Sequence, residues 1–448
     1  MEFSGLRHKK PKENSLENVK WSQFNITMPF NGKYLLYNTL SGNLILSTSC
    51  FDELPIRYSQ DIPIDEQHQT LLKLGFLVPS TVNELAISRY QLEKRKTKLS
   101  QGLTILPTEK CNFRCVYCYE EFTKGRMTSE IQAGLIKWAH SNIRYWKELT
   151  VSWFGGEPLI AIDIVERLST ELMDLCVKND VSYLAVMTTN GYLLDINRVH
   201  RLFNLGVQSY QITLDGPEKQ HDHNRKLVNG EGTFQTIQKN IADIAKTDLP
   251  VKVTIRINID KDNVNFIKTM LDSLITIIGD DMRFKFRIFP VGRWGGLQDE
   301  SLPVLEDKAD FYLRNCIEYA IDRGLLSGID EFFQPNLICY AALPNHFVIG
   351  SDGTIYKCTV ALDNPANRVG RLLPSGQVVI DDQLMALWVA NDGENDSICG
   401  RCKVYPVCHG AACPLIRIES NTKPCHPIKE NTGEWIRLLA KEASSRAK

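Results

Sequence analysis

One unit repeats through the middle of this chain. A short run rich in β-branched and aromatic residues leads into a turn, and then into an amphipathic stretch. Six such runs read as strands: LTILPT at 103–108, LTVSWFGG at 149–156, SYLAVMTTNG at 182–191, SYQITLDG at 209–216, VKVTIRINI at 251–259 and MRFKFRIFPV at 282–291. Helical patterns fill the gaps, over 161–178, 194–205, 233–247 and 262–278. A further helix starts at Ser129, where Gln132 three residues on makes a capping-box signature; it carries Ile131, Leu135, Trp138 and Ile143 on one face. Strands alternating with helices of this size give a parallel sheet covered by helices. Six units are fewer than a closed eightfold barrel needs, so the expected fold class is α/β, a partial (β/α)6 TIM-type barrel. Functional loops in such folds follow the C-terminal ends of the strands. Here those ends bear a cysteine triad, then GGEP, TTNG and LDGP.

The flanks differ from this core. At about 100–200 residues per domain, 448 residues leave room for two to four domains. Residues 1–20 hold Arg7, Lys9, Lys10, Lys12 and Lys20 with few apolar anchors, the composition of a disordered tail. Residues 21–95 begin with three strand-like segments, split by the turn signals Asn31-Gly32 and Ser41-Gly42. An amphipathic segment with Leu71, Leu72, Leu74 and Leu77 follows, with Gly75 near its end, and then a charged helix, ELAISRYQLEKRKTKL. This β-then-α unit is either a structural cap or a peptide-docking module that adds a bound strand to its sheet edge. The barrel is expected over 100–310 and a bridging helix over 311–334. From 335 to 448 the chain is rich in Cys, Pro and Gly, the kind of region that needs metal staples to stay folded.

Charge narrows the partners. A net charge of −1 and a pI near 6.8 give no general pull toward nucleic acid or an anionic membrane. No apolar run approaches the ~18 residues of a membrane span. The N-terminal MEFSGLRHKKPKEN lacks the apolar core of a signal peptide, so a cytoplasmic location is expected. Thirteen cysteines in a reducing compartment argue for metal or redox chemistry rather than disulfides.

The stretch EKCNFRCVYCYEE sets Cys111, Cys115 and Cys118 in C-x3-C-x2-C spacing. Three thiolates can hold three irons of a 4Fe–4S cluster and leave the fourth open to a small chelating molecule. Zinc is the competing reading, but structural zinc wants four protein ligands in paired C-x2-C units, and the triad offers one pair. Tyr117 inside the motif suits a cofactor stacked against the cluster.

With GGEPL at 155–159 and ITLDGPEKQHDHNR at 212–225, the triad resembles the radical S-adenosylmethionine (SAM) superfamily over residues 100–290. The resemblance implies that the open iron binds the amino and carboxylate groups of SAM. It also implies that an electron from the reduced cluster yields a 5′-deoxyadenosyl radical, which takes hydrogen from the substrate. Tyr117 would face the adenine. Gly155 and Gly156 would let the backbone approach the SAM amino group, and Glu157 would neutralise it. Thr213 stands where a ribose- or carboxylate-binding Ser is common, and Arg225 suits the SAM carboxylate. Asn190 and Arg256 are further candidates, although polar residues on strands are as often satisfied core groups. Asp215 and Asp222 lie near the motif and could equally support loops.

The C-terminal cysteines resemble the SPASM extension of peptide-modifying radical SAM enzymes, which holds two auxiliary 4Fe–4S clusters. By that resemblance Cys399, Cys402, Cys408 and Cys425 close an outer cluster, and Cys339, Cys358 and Cys413 hold an inner one. Four residues separate Cys408 from Cys413 where the family has three. Three inner ligands leave an iron free to bind a substrate thiolate or to accept an electron. His409 and His426 are possible stand-in ligands; Cys50, Cys176 and Cys316 read as buried core, with Cys316 able to reach in from its helix.

Together these features imply a radical SAM/SPASM peptide maturase with three 4Fe–4S clusters and SAM. It would install a crosslink, foremost a Cys thioether, with a carbon–carbon or carbon–oxygen link as alternatives, in a ribosomally made precursor whose leader binds a winged-helix-like module at 21–95. Flavodoxin or ferredoxin would supply electrons. The alternatives are formylglycine formation, as in anaerobic sulfatase maturases, and a non-enzymatic zinc or iron–sulfur protein.

Overall fold

The computed structural model describes residues 19–48, 66–390, 396–410 and 413–446. The tail through residue 18, and Cys50, lie outside the described residues.

The N-terminal unit holds β1 (Val19–Trp21), β2 (Asn25–Phe30), β3 (Lys33–Asn38), β4 (Leu44–Ser47) and β5 (Leu77–Pro79). Val19 and Lys20, read above as tail, pair with β5. Strands β2, β3 and β4 form a three-stranded antiparallel sheet. Its first turn is Asn31-Gly32, where both residues have positive φ (47° and 71°), the geometry of a tight hairpin. Helices Glu66–Lys73 and Glu84–Lys96 flank β5. This unit packs on the C-terminal region. Tyr37 donates its hydroxyl to the Phe333 carbonyl at 3.0 Å, and Leu92 is buried with Ile338 and Ala342.

Eight strands follow: β6 (Ser100–Ile105), β7 (Phe113–Cys115), β8 (Glu148–Trp153), β9 (Ser182–Thr189), β10 (Val207–Thr213), β11 (Arg225–Leu227), β12 (Lys252–Ile259) and β13 (Phe284–Pro290). Strands β6, β8, β9, β10, β12 and β13 are parallel neighbours in that order. Helices Ser129–Asn142, Ile162–Lys178, Ile196–Asn204, Phe234–Ala245 and Ile267–Ile278 connect them. The period of two sorts the strand residues. Met187, Ile212, Ile255 and Ile257 are buried in the core, while Thr188, Thr213, Arg256 and Asn258 point to the other face and line cavities. The helix predicted from Ser129 is capped one residue earlier: Thr128 accepts from the Ile131 amide, and Gln132 donates back to the Met127 carbonyl. The bridging segment is helix Ala309–Asp322 followed by a 3-10 turn at Ile329–Phe333.

The Cys-rich region has more regular structure than its composition suggested. Strand β14 (His346–Ile349) adds in parallel to β6. Strands β15 (Thr354–Tyr356), β16 (Arg368–Leu372) and β17 (Val378–Ile380) then continue antiparallel. The result is one ten-stranded sheet shared by barrel and extension. No helix among the described residues is long and apolar enough to cross a membrane.

Candidate metal and cofactor site

The triad sits in the loop after β6. Strand β7 pairs antiparallel with β11, and this sets Cys115 directly opposite Arg225. The Phe113 amide lies 3.3 Å from the Cys111 sulfur, and the Cys118 amide bonds the Cys115 carbonyl at 3.1 Å. All three cysteines line a cavity of about 680 Å³ with Tyr117, Gly155, Gly156, Asn190, Thr213 and Arg225. The triad, the glycine pair, Asn190 and Thr213 lie at or beyond the C-terminal ends of β6, β8, β9 and β10, the four strands the sequence singled out, and Arg225 begins β11.

Burial pushes all three thiols up, Cys118 to about 12, with neighbouring carboxylates and thiols adding to the effect. Three buried thiolates without a counter-charge are unfavourable. A cationic iron centre supplies that charge and deprotonates its ligands, so the donor set fits a metal cluster. Among the described residues no three His, Cys, Asp or Glu side chains close around a single-ion site.

Arg225 is the site's fixed cation. Its Nη1 donates to the Tyr117 hydroxyl at 2.8 Å, and its guanidinium lies over the Phe113 ring at 5.5 Å. Burial opposes its charge, but Tyr117, Cys115 and Asp215 outweigh this and raise its pKa. Its Nε is buried with no hydrogen-bond partner. Arg225 lines this cavity, and a guanidinium there fits an incoming carboxylate such as that of SAM.

Tyr117 is a hub. Its hydroxyl bonds the Asp215 carboxylate and accepts from Asn258 Nδ2 at 3.1 Å as well as from Arg225. Asp215 is fully buried and also accepts from the Asn258 amide at 2.8 Å. Its role is thereby clear: it orients Tyr117. Asp222 is the loop support, accepting from the Thr233 and Phe234 amides. Asn258 was not singled out from the sequence, although it shares the inward phase of β12 with Arg256. Tyr119, Glu120, Phe154 and Thr188 also line the cavity and were not foreseen.

The glycine pair has a reason visible in the protein itself. Gly155 has φ of +113°, and a Cβ there would stand 2.3 Å from the Thr108 carbonyl. A Cβ on Gly156 would stand 2.4 Å from the Lys110 carbonyl. The GGEP loop therefore lies directly against the backbone leading into the triad. Glu157 is fully buried behind the cavity wall. Its carboxylate accepts from the Leu159 amide (3.0 Å), the Thr189 hydroxyl (2.8 Å) and the Asn190 amide (2.7 Å). It ties the β8 loop to the end of β9. Asn190 Nδ2 in turn bonds Asn112 Oδ1 at 2.8 Å, which steadies the triad loop. Arg256 does not line this cavity; it lines an adjoining one.

In the extension Cys399, Cys402, Cys408 and Cys425 line one cavity of about 410 Å³. Cys339, Cys358 and Cys413 form the second group. Burial lifts the Cys339 thiol to about 11, and the other two sulfurs add to this electrostatically. His426 lines the outer cavity with Nδ1 accepting from the Ile428 amide at 3.4 Å; His409 bonds Asn336 Oδ1 at 2.8 Å. Cys176 and Cys316 are buried in the main core.

Residues 105–273 match the family model described as the Radical SAM superfamily. This segment resembles a radical SAM domain. Such a domain implies SAM and a 4Fe–4S cluster, and the triad cavity is where both fit. Curated relatives are similar over the same part. The chain is 29% identical over 204 residues to an AdoMet-dependent heme synthase of Methanosarcina barkeri (44% of this chain, 52% of that one). It is 27% identical over 190 residues to a GTP 3′,8-cyclase of Clostridium botulinum (39% and 53%). The chain thus spans about half the length of these relatives. Two solved structures share its fold more widely. One is native anSMEcpe with bound AdoMet and Cp18Cys peptide (TM-score 0.58, 18% identity, 77% of this chain, 99% of that). The other is Streptococcus suis SuiB bound to S-adenosylmethionine (TM-score 0.51, 16% identity, 89% and 97%).

Proposed function

We propose that this chain is a radical SAM peptide maturase that abstracts hydrogen from a ribosomally made precursor and installs an intramolecular Cys thioether. One observation carries the reading. The triad cavity adjoins a second cavity of about 880 Å³ that ends at Thr359 and Val360, immediately after Cys358. Tyr117, Tyr119, Phe154, Thr188, Thr213 and Arg225 line both. A substrate there would lie between the radical source and the inner cysteines. Support also comes from the similar fold of anSMEcpe with bound AdoMet and Cp18Cys peptide.

When bound, SAM and a reduced cluster supply a 5′-deoxyadenosyl radical. The protein's own residues bind and orient. Arg225 would hold the SAM carboxylate and Thr213 would offer a hydroxyl, while Tyr117 is fixed by Asp215 and Asn258. Phe154, Val291 and Trp294 supply apolar wall to the chamber. Cys339, Cys358 and Cys413 would hold an auxiliary cluster with one coordination place left for the substrate thiolate; Cys399, Cys402, Cys408 and Cys425 would close a fully ligated outer one. The winged-helix-like module at 21–95 would bind the leader, and a flavodoxin or ferredoxin would donate electrons.

Anaerobic co-expression with the short reading frames beside the gene tests this by mass spectrometry. The expected product has lost two hydrogen atoms and one alkylatable thiol. Conversion of Cys to formylglycine instead would replace this reading with sulfatase-type maturation.

A further inference from the structure

We infer that the second cavity binds a substrate carboxylate on Arg256, which deepens and rests on the peptide-maturase reading. Arg256 projects from the inner face of β12 into this chamber. Its Nε donates to Asn258 Oδ1 at 2.9 Å, and its guanidinium stacks 4.5 Å from the centroid of Phe289. Stacking fixes the plane of the guanidinium and leaves its remaining in-plane donors for a ligand.

No carboxylate pairs directly with this charge, although Asp215 acts on it from a distance. The chamber's lining includes Arg225 and Arg256 but no Asp or Glu. Among the described residues no carboxylate lies within ion-pair distance of Arg256. The nearby acids are committed. Glu331 pairs with Arg287 at 3.1 Å and with Lys285. Asp215 bonds Tyr117 and the Asn258 amide. Arg225 is engaged by Tyr117 and belongs to the triad cavity as well. A partly buried guanidinium without a direct ion pair selects a planar anion that it can grip with two parallel bonds. Thr359 and Val360 bound the far side of the chamber, so the carboxylate belongs to the reacting residue or its neighbour. Its source is either an acidic side chain of the peptide or the peptide's terminal carboxylate.

Three synthetic peptides separate these sources: Ac-Gly-Cys-Glu-Gly-amide, Ac-Gly-Cys-Gln-Gly-amide, and Ac-Gly-Cys-Gln-Gly with a free terminal carboxylate. Binding to the full chain carrying its clusters and SAM is measured by anaerobic calorimetry. One of the two carboxylate peptides should bind about tenfold more tightly than the all-amide peptide. Arg256→Gln should abolish that preference. Equal binding of all three to the unsubstituted protein overturns the inference without any variant. So does a preference that survives in R256Q, including one accompanied by weaker SAM binding, which would place Arg256 in the SAM site. Absence of SAM cleavage would sink the maturase reading while leaving the carboxylate preference measurable.

Discussion

Arg225, Tyr117, Asp215 and Asn258 form one hydrogen-bonded unit, in which Arg225 Nε is buried without a partner. A ligand carboxylate that meets this guanidinium gains much, because the group's desolvation has already been incurred. Arg225→Lys keeps the charge but loses the fork. It should weaken SAM binding by about 1.5–3 kcal/mol, roughly 10- to 100-fold in Kd, measured by calorimetry on the cluster-loaded protein. At this scale the sequence was legible where chemistry needs a residue type. The triad cysteines, Thr213 and Arg225, named from the sequence, line one cavity. The sequence misled where burial decides. Glu157 reads as a partner for an ammonium, yet three hydrogen bonds consume it inside the wall. Asn258 was missed because one polar residue in VKVTIRINI looks like ordinary strand variation until Arg256 marks its phase.

Elements of regular period were the most legible. The six barrel strands lie within a few residues of the expected runs, because alternation and apolar content change sharply at their ends. Strands β7 and β11 were invisible. Each has three residues, too few for a period, and their pairing joins segments over 100 residues apart. That pairing is what aligns Cys115 with Arg225. Strands β14 to β17 were hidden for the same reason, being three to five residues long in a Cys-rich background. Side-chain pairing also joins elements. Arg437 grips Glu318 with two bonds (2.6 and 3.0 Å) and Lys441 adds a third (2.9 Å), clamping helix Thr432–Arg446 to helix Ala309–Asp322. Hydrogen bonds from Arg437 and then Lys441 lower the Glu318 pKa from 4.5 to about 2. A depressed carboxylate stabilises the fold above its unfolded pKa and loses that effect as pH falls through the folded one. Glu318→Gln should therefore destabilise the protein at neutral pH. The gap from the unsubstituted protein should narrow between pH 4.5 and about 2, read by urea denaturation across pH.

At the scale of the whole molecule, barrel and extension share one sheet, and a buried contact locks them. Glu109, just before the triad, accepts from the Ser351 amide at 3.0 Å and its hydroxyl at 2.8 Å, in the turn between β14 and β15. The N-terminal unit rests on the extension through Tyr37 and Leu92. Its removal would uncover Phe333, Ile338 and Ala342, so truncation mixes stability with recognition. Free leader peptide added in trans is the cleaner probe: it should inhibit turnover of a full precursor and leave uncoupled SAM cleavage unchanged. Composition foretold three regions, but not that the extension completes the barrel's open edge. The central claim is that Cys111, Cys115 and Cys118 hold the cluster that cleaves SAM. Anaerobically reconstituted protein, with and without all three replaced by Ala, should be compared for iron, labile sulfide and 5′-deoxyadenosine. The account predicts that the triple variant forms no 5′-deoxyadenosine yet retains the iron and sulfide bound in the extension. Formation of 5′-deoxyadenosine by the triple variant would contradict it.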